Sequence, residues 1–422
     1  MPGLILAAPS SGSGKTTITL GLLRALHRRG VAVRGAKSGP DYLDPRFHEA
    51  ACGKTCLNLD AWAMSPARIR SLAATDDLLL IEGAMGLFDG AAPDGRSATA
   101  DLARILNLPV VLVVDAARMA HSIAPLVAGF ARHDPRVRVA GVILNRTGSP
   151  RHEAMLRHAL APLDIPVLGA LPRQAGLTHP SRHLGLVQAQ EREDLDGFLD
   201  TVAGCVGECV ALDALVRLAG PLANAPAAKP LPPPAQRIAI ASDAAFAFAY
   251  PHLLADWRRA GAEITPFSPL ADDPAPAADM IFLPGGYPEL HAGRLAGNKR
   301  FLDSLKGAAE TCRIYGECGG YMVLGEALTD ADGTCHRMAG LLPLETSFAT
   351  RRLHLGYRRL SPRAGPFRGG LMAHEFHYAT TISATGAPLF DATDAAHAAL
   401  PPMGLVRGNV CGSFAHIIDR AD

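Results

Sequence analysis

Short apolar runs alternate with longer amphipathic stretches along the first half of the chain. Strands are predicted at 4–8, 31–33, 78–81, 110–114, 139–144 and 167–171, and helices at 16–29 and 119–132. Continuous apolar strands that alternate with helices are typical of a parallel sheet covered on both faces. This half of the chain is therefore predicted to form an α/β domain.

The same alternation returns in the second half. Strands are predicted at 238–241, 264–267, 280–283 and 314–315, and a helix near 252–260. From about residue 340 the segments are shorter and are interrupted by glycine and histidine, which favours mixed or antiparallel strands. The whole pattern predicts two α/β domains.

A proline-rich stretch separates the two halves, since residues 221–236 contain six prolines. Proline fixes φ and has no amide hydrogen, so such a stretch favours an extended, semi-rigid spacer over a helix or a sheet. We expect domains at 1–220 and 237–422, joined by a linker at 221–236.

Composition and charge exclude several classes of protein. The 422 residues are 48% hydrophobic, and 41 Lys and Arg against 40 Asp and Glu leave a formal charge of +1. A protein that coats nucleic acid needs a basic surface, and a membrane helix needs about 20 apolar residues in a row; the sequence shows neither. The eight cysteines form no CxxC pair and the chain opens without a basic leader. We expect a cytoplasmic protein with no nucleic-acid and no membrane partner.

The first predicted strand leads into APSSGSGKTT, which is close to the phosphate-binding loop GxxxxGK[ST] except that Pro9 stands at the first glycine position. In such a loop, backbone amides and the N-terminus of the following helix hold phosphates. Lys15 would reach the terminal phosphates and Thr16 would bind magnesium. The alternative is a flexible turn that only caps a helix, which requires neither side chain in this register.

Two acidic motifs follow other predicted strands, KSGPDYLDP at 37–45 and LLIEGAMGLFDG at 79–90. Side chains at the carboxyl ends of parallel strands point into the crevice where open α/β proteins bind ligands. Magnesium prefers a few carboxylates with phosphate oxygens, so Thr16, Asp41 and Glu82 form a candidate magnesium set. Each acid alone is equally explained as a solvated loop or a helix cap, but three such features on one domain favour the metal site.

The segment RIYGECGGY places Cys318 between glycines, after a predicted strand and before a predicted helix. Small neighbours permit the strained turn that exposes a nucleophile, and a helix N-terminus favours the thiolate. Upstream, LPGGYPE offers the backbone amides of Gly285 and Gly286 as an oxyanion hole. Downstream, GSFAH offers His416 as a base. The alternative for Cys318 is a buried core cysteine.

The C-terminal region is rich in histidine, and a lone histidine is usually structural. His374 and His377 resemble half of a metal site. Their odd spacing on a predicted strand places them on opposite faces, so a metal site there is not favoured.

Together these motifs resemble the cobyrinate and hydrogenobyrinate a,c-diamide synthases of corrinoid biosynthesis over nearly the whole length. APSSGSGKTT, KSGPDYLDP, EGAMGLFDG and AGVILNR are similar to the synthetase half, and PGGYPE, YGECGGY and GSFAH to the class I glutamine amidotransferase half. The combination of PDYLDP with GLFDG is the most specific match. The resemblance implies a P-loop NTPase-like domain, similar also to dethiobiotin synthetase, followed by an amidotransferase-like α/β domain.

The resemblance also implies roles for individual residues. ATP phosphates would contact Gly12, Gly14, Lys15, Thr16 and Thr17, and adenine would lie near Asn145. Magnesium would lie near Thr16, Asp41 and Glu82, and the tetrapyrrole near Tyr42, Leu43 and Asp89. The catalytic residues would be Lys15, Cys318 and His416.

One departure from the wider class I pattern concerns the triad. Class I enzymes carry a glutamate two residues after the histidine, where Ile418 stands in this chain. The diamide synthases as a group lack it too, so the resemblance implies a Cys–His dyad. What orients His416 stays open.

The activity that the resemblance implies is amidation of the a and c carboxylates of hydrogenobyrinate or cobyrinate in cobalamin biosynthesis, with ATP and glutamine and through acyl phosphates. We favour the metal-free hydrogenobyrinate. The alternatives are a nickel-sirohydrochlorin a,c-diamide synthase, a cobyric acid synthase, which is typically longer, and a P-loop switch protein that binds partners. Such switch proteins usually carry an additional lysine early in the loop, where Pro9, Ser10 and Ser11 stand. The order of the two amidations and the oligomeric state, a homodimer included, stay open.

Overall fold

The computed structural model describes residues 2–91, 94–173, 181–182, 185–186, 188–223 and 228–421. The chain divides into unit 1, Met1–Ala228, and unit 2, Lys229–Asp422, so the division falls within the predicted linker. Residues 224–227 of that linker lie outside the described residues. Of the rest, Pro221 ends a short strand, and 228–236 form neither helix nor strand.

Unit 1 alternates strands and helices, as the apolar pattern predicts. Its strands are β1 (Pro2–Ala7), β2 (Val33–Ser38), β3 (Leu57–Leu59), β4 (Leu78–Glu82), β5 (Val110–Asp115), β6 (Val139–Thr147), β7 (Val167–Pro172), β8 (Ser181–Arg182), β9 (Gly185–Leu186) and β10 (Gly220–Pro221). Its helices are α1 (Lys15–Arg28), α2 (Asp44–Cys52), α3 (Pro66–Ala73), α4 (Thr99–Leu106), α5 (Ile123–His133), α6 (Pro150–Leu160), α7 (Leu195–Cys209) and α8 (Leu212–Leu218).

The main sheet of unit 1 has, within the described residues, eight strands, and seven of them follow the order β3-β2-β4-β1-β5-β6-β7. These seven are parallel, while β10 pairs antiparallel with the start of β1. Leu6 pairs with Glu82, and Glu82 pairs with Lys37, so the ends of β1, β4 and β2 meet at one edge. The phosphate-binding loop and both acidic motifs therefore leave the sheet side by side.

The second strand of unit 1 lies later in the chain than predicted, and the short strands β3, β8, β9 and β10 were not predicted. The apolar run at 31–33 was predicted as the strand, whereas β2 begins at Val33 and continues to Ser38. Its later positions include Gly35 and Lys37, which an apolar pattern does not register. Lys37 is nevertheless buried, because carboxylates compensate its charge.

Unit 2 begins with the same alternation and ends in strands. Its strands are β11 (Arg237–Ala241), β12 (Glu263–Phe267), β13 (Met280–Leu283), β14 (Arg313–Glu317), β15 (Ala327–Thr329), β16 (Cys335–Arg337), β17 (Leu344–Ser347), β18 (His354–Pro362), β19 (Leu371–His377), β20 (Thr380–Ala384), β21 (Phe390–Thr393), β22 (Ala399–Met403), β23 (Leu405–Arg407), β24 (Val410–Ser413) and β25 (Ala415–Arg420). Its helices are α9 (Pro251–Arg259), α10 (Ala292–Gly297), α11 (Lys299–Ala308) and α12 (Gly319–Leu324).

The central sheet of unit 2 has the order β12-β11-β13-β14-β24-β23, with only β23 antiparallel among these strands. Two further sheets, β16-β15-β17-β20 and β22-β21-β18-β19-β25, form from the region after residue 326. The first is mixed and the second antiparallel, as the shorter segments predicted. Because β14 pairs with β24, the end of β14 lies beside the turn that leads into β25.

No helix in the described ranges combines the length and the apolar character that crossing a membrane requires. The core of each unit is built instead from the alternating strands and helices. In unit 1, for example, Leu22 of α1 and Val202 of α7 belong to one buried cluster, together with β-strand residues such as Leu4.

Candidate functional sites

The phosphate-binding loop is held in place by the end of β6. Gly14 has φ +88°, and a Cβ there would lie 2.1 Å from Asn145 Nδ2, so a side chain at this position would be strained and would clash. Asn145 Nδ2 donates to the Ser13 carbonyl at 2.9 Å, and Arg146 Nη1 donates to the Gly12 carbonyl at 3.0 Å. The predicted adenine residue Asn145 thus braces the loop, and Arg146 beside it had no assigned role from the sequence.

Lys15 begins α1 and turns toward the loop that follows β4. Its Nζ donates to the Met85 carbonyl at 2.5 Å. Burial lowers the pKa of Lys15, and the charges of Glu82 and Lys37 act on it in opposite directions. The effect of Glu82 on this pKa shows that the Lys15 ammonium lies close enough to the Glu82 carboxylate to interact with it electrostatically.

Five charged or polar groups meet at the ends of β2 and β4. Thr16 Oγ1 donates to Glu82 Oε1 at 2.6 Å and lies 3.5 Å from Asp44 Oδ2. Lys37 Nζ lies 2.5 Å from Asp44 Oδ2 and 2.9 Å from Glu82 Oε1. The other oxygen of Glu82 lies 2.6 Å from His48 Nε2. The charged groups of this pocket therefore form an ion-paired cluster that is almost fully buried, while Thr16 is half-buried.

Electrostatics keep this cluster charged. Burial alone would raise the pKa of Glu82, but Lys37 and the His48 hydrogen bond outweigh it and hold that pKa well below its usual range. Burial would lower the pKa of Lys37, but Asp44 and Glu82 raise it overall. Asp44 differs, because burial and repulsion from Asp41 raise its pKa against the effect of Lys37. Two carboxylates share one lysine, which leaves the cluster suited to a further cation.

The remaining predicted residues of unit 1 shape the loops around this cluster. Asp41 Oδ1 accepts hydrogen bonds from the backbone amides of Leu43 at 2.7 Å and Asp44 at 3.1 Å, so it supports the start of α2. Asp89 Oδ2 accepts from the Gly86 amide at 2.8 Å. The sequence analysis chose Asp41 for the magnesium set, whereas the structure places the carboxylate of Asp44 beside Thr16. The roles of Asp41, Tyr42, Leu43, Thr17 and Asp89 stay predictions.

The second candidate site lies in unit 2 at the turn between β14 and α12. Cys318 has φ 46° and ψ −102°, a conformation that non-glycine residues rarely adopt, and its amide donates to the Ser413 carbonyl at 2.8 Å. Strain of this kind is typical of residues whose reactive atom a turn presents. The hydrogen bond from the Cys318 amide to the Ser413 carbonyl holds the strained turn in place.

The two glycines predicted for the oxyanion hole lie against this turn. A Cβ on Gly285 would be 2.2 Å from His416 Cε1, so the loop approaches the imidazole as closely as a glycine allows. The Gly286 amide nitrogen lies 3.1 Å from where a Cβ on Gly319 would stand. The structure therefore brings Gly285, Gly286, Cys318 and His416 into one site.

Electrostatics hold this second site neutral. Burial raises the pKa of the Cys318 thiol, and the nearby carboxyl of Glu289 raises it further. Burial lowers the pKa of His416 to about 3, and His374 and His377 add to that effect. A thiol and a neutral imidazole in one site form a pair in which one proton has to move before the sulfur can attack.

Two buried carboxyl groups in this site had no assigned role from the sequence, although both lie in quoted motifs. Burial raises the pKa of Glu289, in LPGGYPE, to about 8, and that of Glu317, in YGECGGY, to about 8. Glu317 Oε2 is 3.8 Å from His416 Nδ1. This contact joins residues 99 positions apart, and no local spacing signals it.

Among the described residues, the group of side chains that could hold a metal ion contains His377 but not His374. His377 lies instead with His354 and Glu375, and these three side chains offer donor atoms within 4.8 Å of one another. Glu375 is already occupied, however, because Arg358 binds one of its oxygens at 2.8 Å and His377 Nε2 lies 3.0 Å from the other. The charge of this carboxylate is therefore compensated by the protein.

Both units match known domain families. Residues 4–187 match the CobQ/CobB/MinD/ParA nucleotide binding domain, and residues 237–422 match the CobB/CobQ-like glutamine amidotransferase domain. The two α/β units thus correspond to a nucleotide-binding domain of P-loop NTPase type and a class I amidotransferase-like domain.

Curated relatives match the chain from end to end. A hydrogenobyrinate a,c-diamide synthase of Rhizobium meliloti (strain 1021) is 56% identical over 430 residues, which cover 100% of both chains. One of Brucella suis biovar 1 (strain 1330) is 56% identical over 434 residues, 99% of each chain. One of Rhodobacter capsulatus is 54% identical over 99% of this chain and 98% of its own.

Solved structures resemble the chain only distantly. The septum site-determining protein MinD of Pyrococcus horikoshii OT3, complexed with Mg-ADP, is 19% identical with a TM-score of 0.30, covering 51% of this chain and 94% of its own. A glutamine amidotransferase crystal structure is 14% identical with a TM-score of 0.29, covering 42% and 89%. TM-scores this low carry no conclusion about this chain.

Proposed function

The chain belongs to the hydrogenobyrinate a,c-diamide synthase family, and from this premise we propose that it amidates the a and c side-chain carboxylates of hydrogenobyrinate in cobalamin biosynthesis. It is an ATP-dependent amidoligase with glutamine as the amido donor. The observation that carries the proposal is that one chain holds both a charged pocket at a phosphate-binding loop and a strained cysteine beside a histidine.

The charged pocket suits the activation of a carboxylate. A carboxylate is a poor electrophile because oxide is a poor leaving group, and phosphorylation overcomes this. A carboxylate oxygen of the tetrapyrrole attacks the γ-phosphorus of ATP, ADP leaves, and an acyl phosphate forms. Lys15 stabilises the charge on the transferred group. Ammonia then attacks the acyl carbon and phosphate departs.

The residues around Lys37 fit a magnesium ion. Their donors are hydroxyl and carboxylate oxygens, which Mg²⁺ prefers, and Asp44 Oδ1 is buried with no hydrogen-bond partner among the described residues. Thr16, Asp44 and Glu82, with the predicted Asp41, would hold the ion. When bound, magnesium would neutralise the negative charge of the phosphates. Lys37 keeps Asp44 and Glu82 in place at the pocket.

The second site suits glutamine hydrolysis. His416 takes the thiol proton of Cys318, and the thiolate attacks the side-chain amide carbon of glutamine. The amides of Gly285 and Gly286 stabilise the oxyanion. Ammonia leaves with a proton returned by His416, and water hydrolyses the thioester to glutamate. The released ammonia then attacks the acyl phosphate.

The tetrapyrrole is proposed to lie near Tyr42, Leu43 and Asp89. Support for this comes from the loops that carry them, since they leave the same sheet edge as Lys15 and Glu82. Adenine is proposed to lie near Asn145, at the end of β6, and Thr17 to contact phosphate. Two carboxylates have to use one phosphorylation site, so a monoamide has to form before the diamide.

Mass spectrometry of the products tests the function. Hydrogenobyrinate, cobyrinate and nickel-sirohydrochlorin are each incubated with the protein, ATP, Mg²⁺ and glutamine. We expect the mass of a diamide from hydrogenobyrinate, preceded by a monoamide. A diamide from nickel-sirohydrochlorin alone would replace the proposed substrate by the alternative one, and no amide from any of the three would contradict the proposal.

A further inference from the structure

The site of glutamine hydrolysis carries no glutamate at the position that class I enzymes use to orient the histidine. Ile418 stands there and is 0% exposed. An apolar side chain cannot accept a hydrogen bond, so it cannot fix which ring nitrogen of His416 carries the proton. A base in a proton transfer needs that tautomer fixed.

Glu317 lies on the other side of the same histidine. Its Oε2 is 3.8 Å from His416 Nδ1, and both side chains are almost fully buried. Its Oε1 accepts hydrogen bonds from the Tyr315 hydroxyl at 3.1 Å and the Ile417 amide at 3.2 Å. The carboxyl group is therefore anchored to β25 at the residue next to His416, with its second oxygen directed toward the ring.

We propose that Glu317 is the positioning residue of His416, supplied from the strand that precedes the nucleophile instead of from the strand that carries the histidine. The inference rests on the proposed glutamine hydrolysis at Cys318. An N–H at Nδ1 donates to Glu317 Oε2, which leaves Nε2 without a proton and able to take the one from the thiol. A resting separation of 3.8 Å shortens when the imidazolium forms, as catalytic hydrogen bonds commonly do.

The other groups that face His416 are less suited to this role. Its electrostatic neighbours include His374, His377 and Glu375. Glu375 is bound by Arg358 and His377, so its charge is already compensated. Among the ion pairs of the described residues, Glu317 has His416 as its only partner.

The electrostatics of the pair agree with this role. Burial raises the pKa of Glu317 to about 8 and lowers that of His416 to about 3, so each resists ionisation by itself. A positive imidazolium next to Glu317 lowers the cost of a carboxylate there, and a carboxylate lowers the cost of the imidazolium. The protonated histidine is thus stabilised at the moment when the thiolate needs it.

Glu317→Gln separates a positioning role from a structural one. The Gln carbonyl oxygen keeps the bonds from Tyr315 and Ile417, while its NH₂ group faces Nδ1 and forces the proton onto Nε2. We expect kcat for glutamine hydrolysis to fall by at least ~100-fold, as a wrong tautomer does in other triads, with KM for glutamine within about threefold. Ammonia-dependent amidation should be unchanged, because unit 1 is untouched.

Tyr315→Phe is the matched control, because it removes a bond to Oε1 and leaves Oε2 in place. We expect its kcat to stay within about threefold of wild type. A wild-type kcat in Glu317→Gln, or an equal loss in both variants, would overturn the proposal. If the wild-type protein hydrolysed no glutamine, the proposed function would fail instead.

A second measurement needs no substitution at Glu317. In protein labelled with ¹⁵N-histidine, the signals of His416 are identified by their loss in His416→Asn. At neutral pH the proposal requires a neutral ring with its proton on Nδ1. A proton on Nε2 would overturn it.

Discussion

The two candidate sites treat buried charge in opposite ways. In unit 1, Lys37 and Glu82 compensate each other, so the pKa of the carboxyl is lowered and that of the ammonium is raised. In unit 2, Cys318 and Glu317 have raised pKa values and His416 a lowered one, because burial is the largest effect on each of these groups. Lys37 and Glu82 are therefore charged in the first site, whereas Cys318 and His416 are neutral in the second.

This difference corresponds to the two proposed chemistries. Phosphoryl transfer needs positive groups that are in place before the reaction, since little else in the protein can lower its barrier. Thiol attack needs a proton that moves during the reaction, so a neutral pair that ionises together is sufficient. The comparison predicts that the two sites respond differently to the removal of one group.

The largest expected effect is the loss of glutamine-dependent amidation in Cys318→Ala. Only the thiol can form the thioester, so no turnover with glutamine should remain, while amidation with ammonium salts continues. Both are measured as amide formed per enzyme. Cys312→Ala, which removes another buried cysteine of unit 2, should retain both activities. Equal loss with both nitrogen donors would make Cys318 structural.

Lys15→Ala should lower amidation with either donor, by about 100-fold or more, because phosphoryl transfer precedes the attack of ammonia. The loss should appear in kcat, and glutamine hydrolysis should persist. Lys54→Ala is the control, since Lys54 pairs with Asp77 at the surface of unit 1 and lies outside the pocket. Undiminished turnover with ammonia in Lys15→Ala would contradict the ATP-site assignment.

Lys37→Met tests whether the buried carboxylates of the unit 1 pocket, Asp44 and Glu82, need a positively charged partner. Removal of the ammonium leaves Glu82 and Asp44 buried together, which should lower the free energy of unfolding of unit 1 by about 3–5 kcal/mol. The chain has two tryptophans, Trp62 in unit 1 and Trp257 in unit 2. Urea unfolding followed by Trp62 fluorescence, in a Trp257→Phe background, measures it.

Glu317→Gln is the corresponding change in unit 2 and should alter stability by less than about 1 kcal/mol, because Gln has the size of Glu and its carbonyl oxygen keeps the hydrogen bonds from Tyr315 and Ile417. Trp257 fluorescence in a Trp62→Phe background reports it. Equal effects of the two substitutions would remove the contrast between the sites.

The last expected effect is a pH dependence of unit 2. Glu289 and Glu317 have a pKa of about 8 against an ordinary 4.5, so the folded state binds more protons and stability falls as pH rises from 4.5 to 8. His374 and His416, at about 4 and 3 against 6.5, oppose that trend only below pH 6.5.

From pH 6.5 to 7.5 the free energy of unfolding of unit 2 should therefore fall, by up to about 1.4 kcal/mol per carboxyl group. The same Trp257 measurement detects this fall, and Glu317→Gln should make it smaller by about half. A stability that rises over this interval would show that these carboxyl groups are ionised in the folded state.

Much of the fold could be predicted from the sequence because its strands are buried on both faces. The run at 110–114, for example, is apolar throughout and stands out from the amphipathic helices. β2 was placed less well, because its buried lysine depends on Asp44 and Glu82, which no local pattern connects to it.

The candidate sites, like the fold, could be predicted only in part. Lys15, Thr16, Cys318 and the glycines around them follow from short motifs whose spacing is fixed by the turn that they form. Partners such as Glu317 of His416 come from different strands, and only the pairing of β14 with β24 brings them together. Sequence spacing could not provide that contact.

Oxygen transfer from the substrate tests the central claim most directly. Hydrogenobyrinate labelled with ¹⁸O in its carboxylates is incubated with the protein, ATP, Mg²⁺ and glutamine, and the released phosphate is analysed by mass spectrometry. An acyl phosphate requires one ¹⁸O atom in phosphate for each amide formed, in wild type with glutamine and in Cys318→Ala with ammonia. Amide formation with unlabelled phosphate would contradict the account.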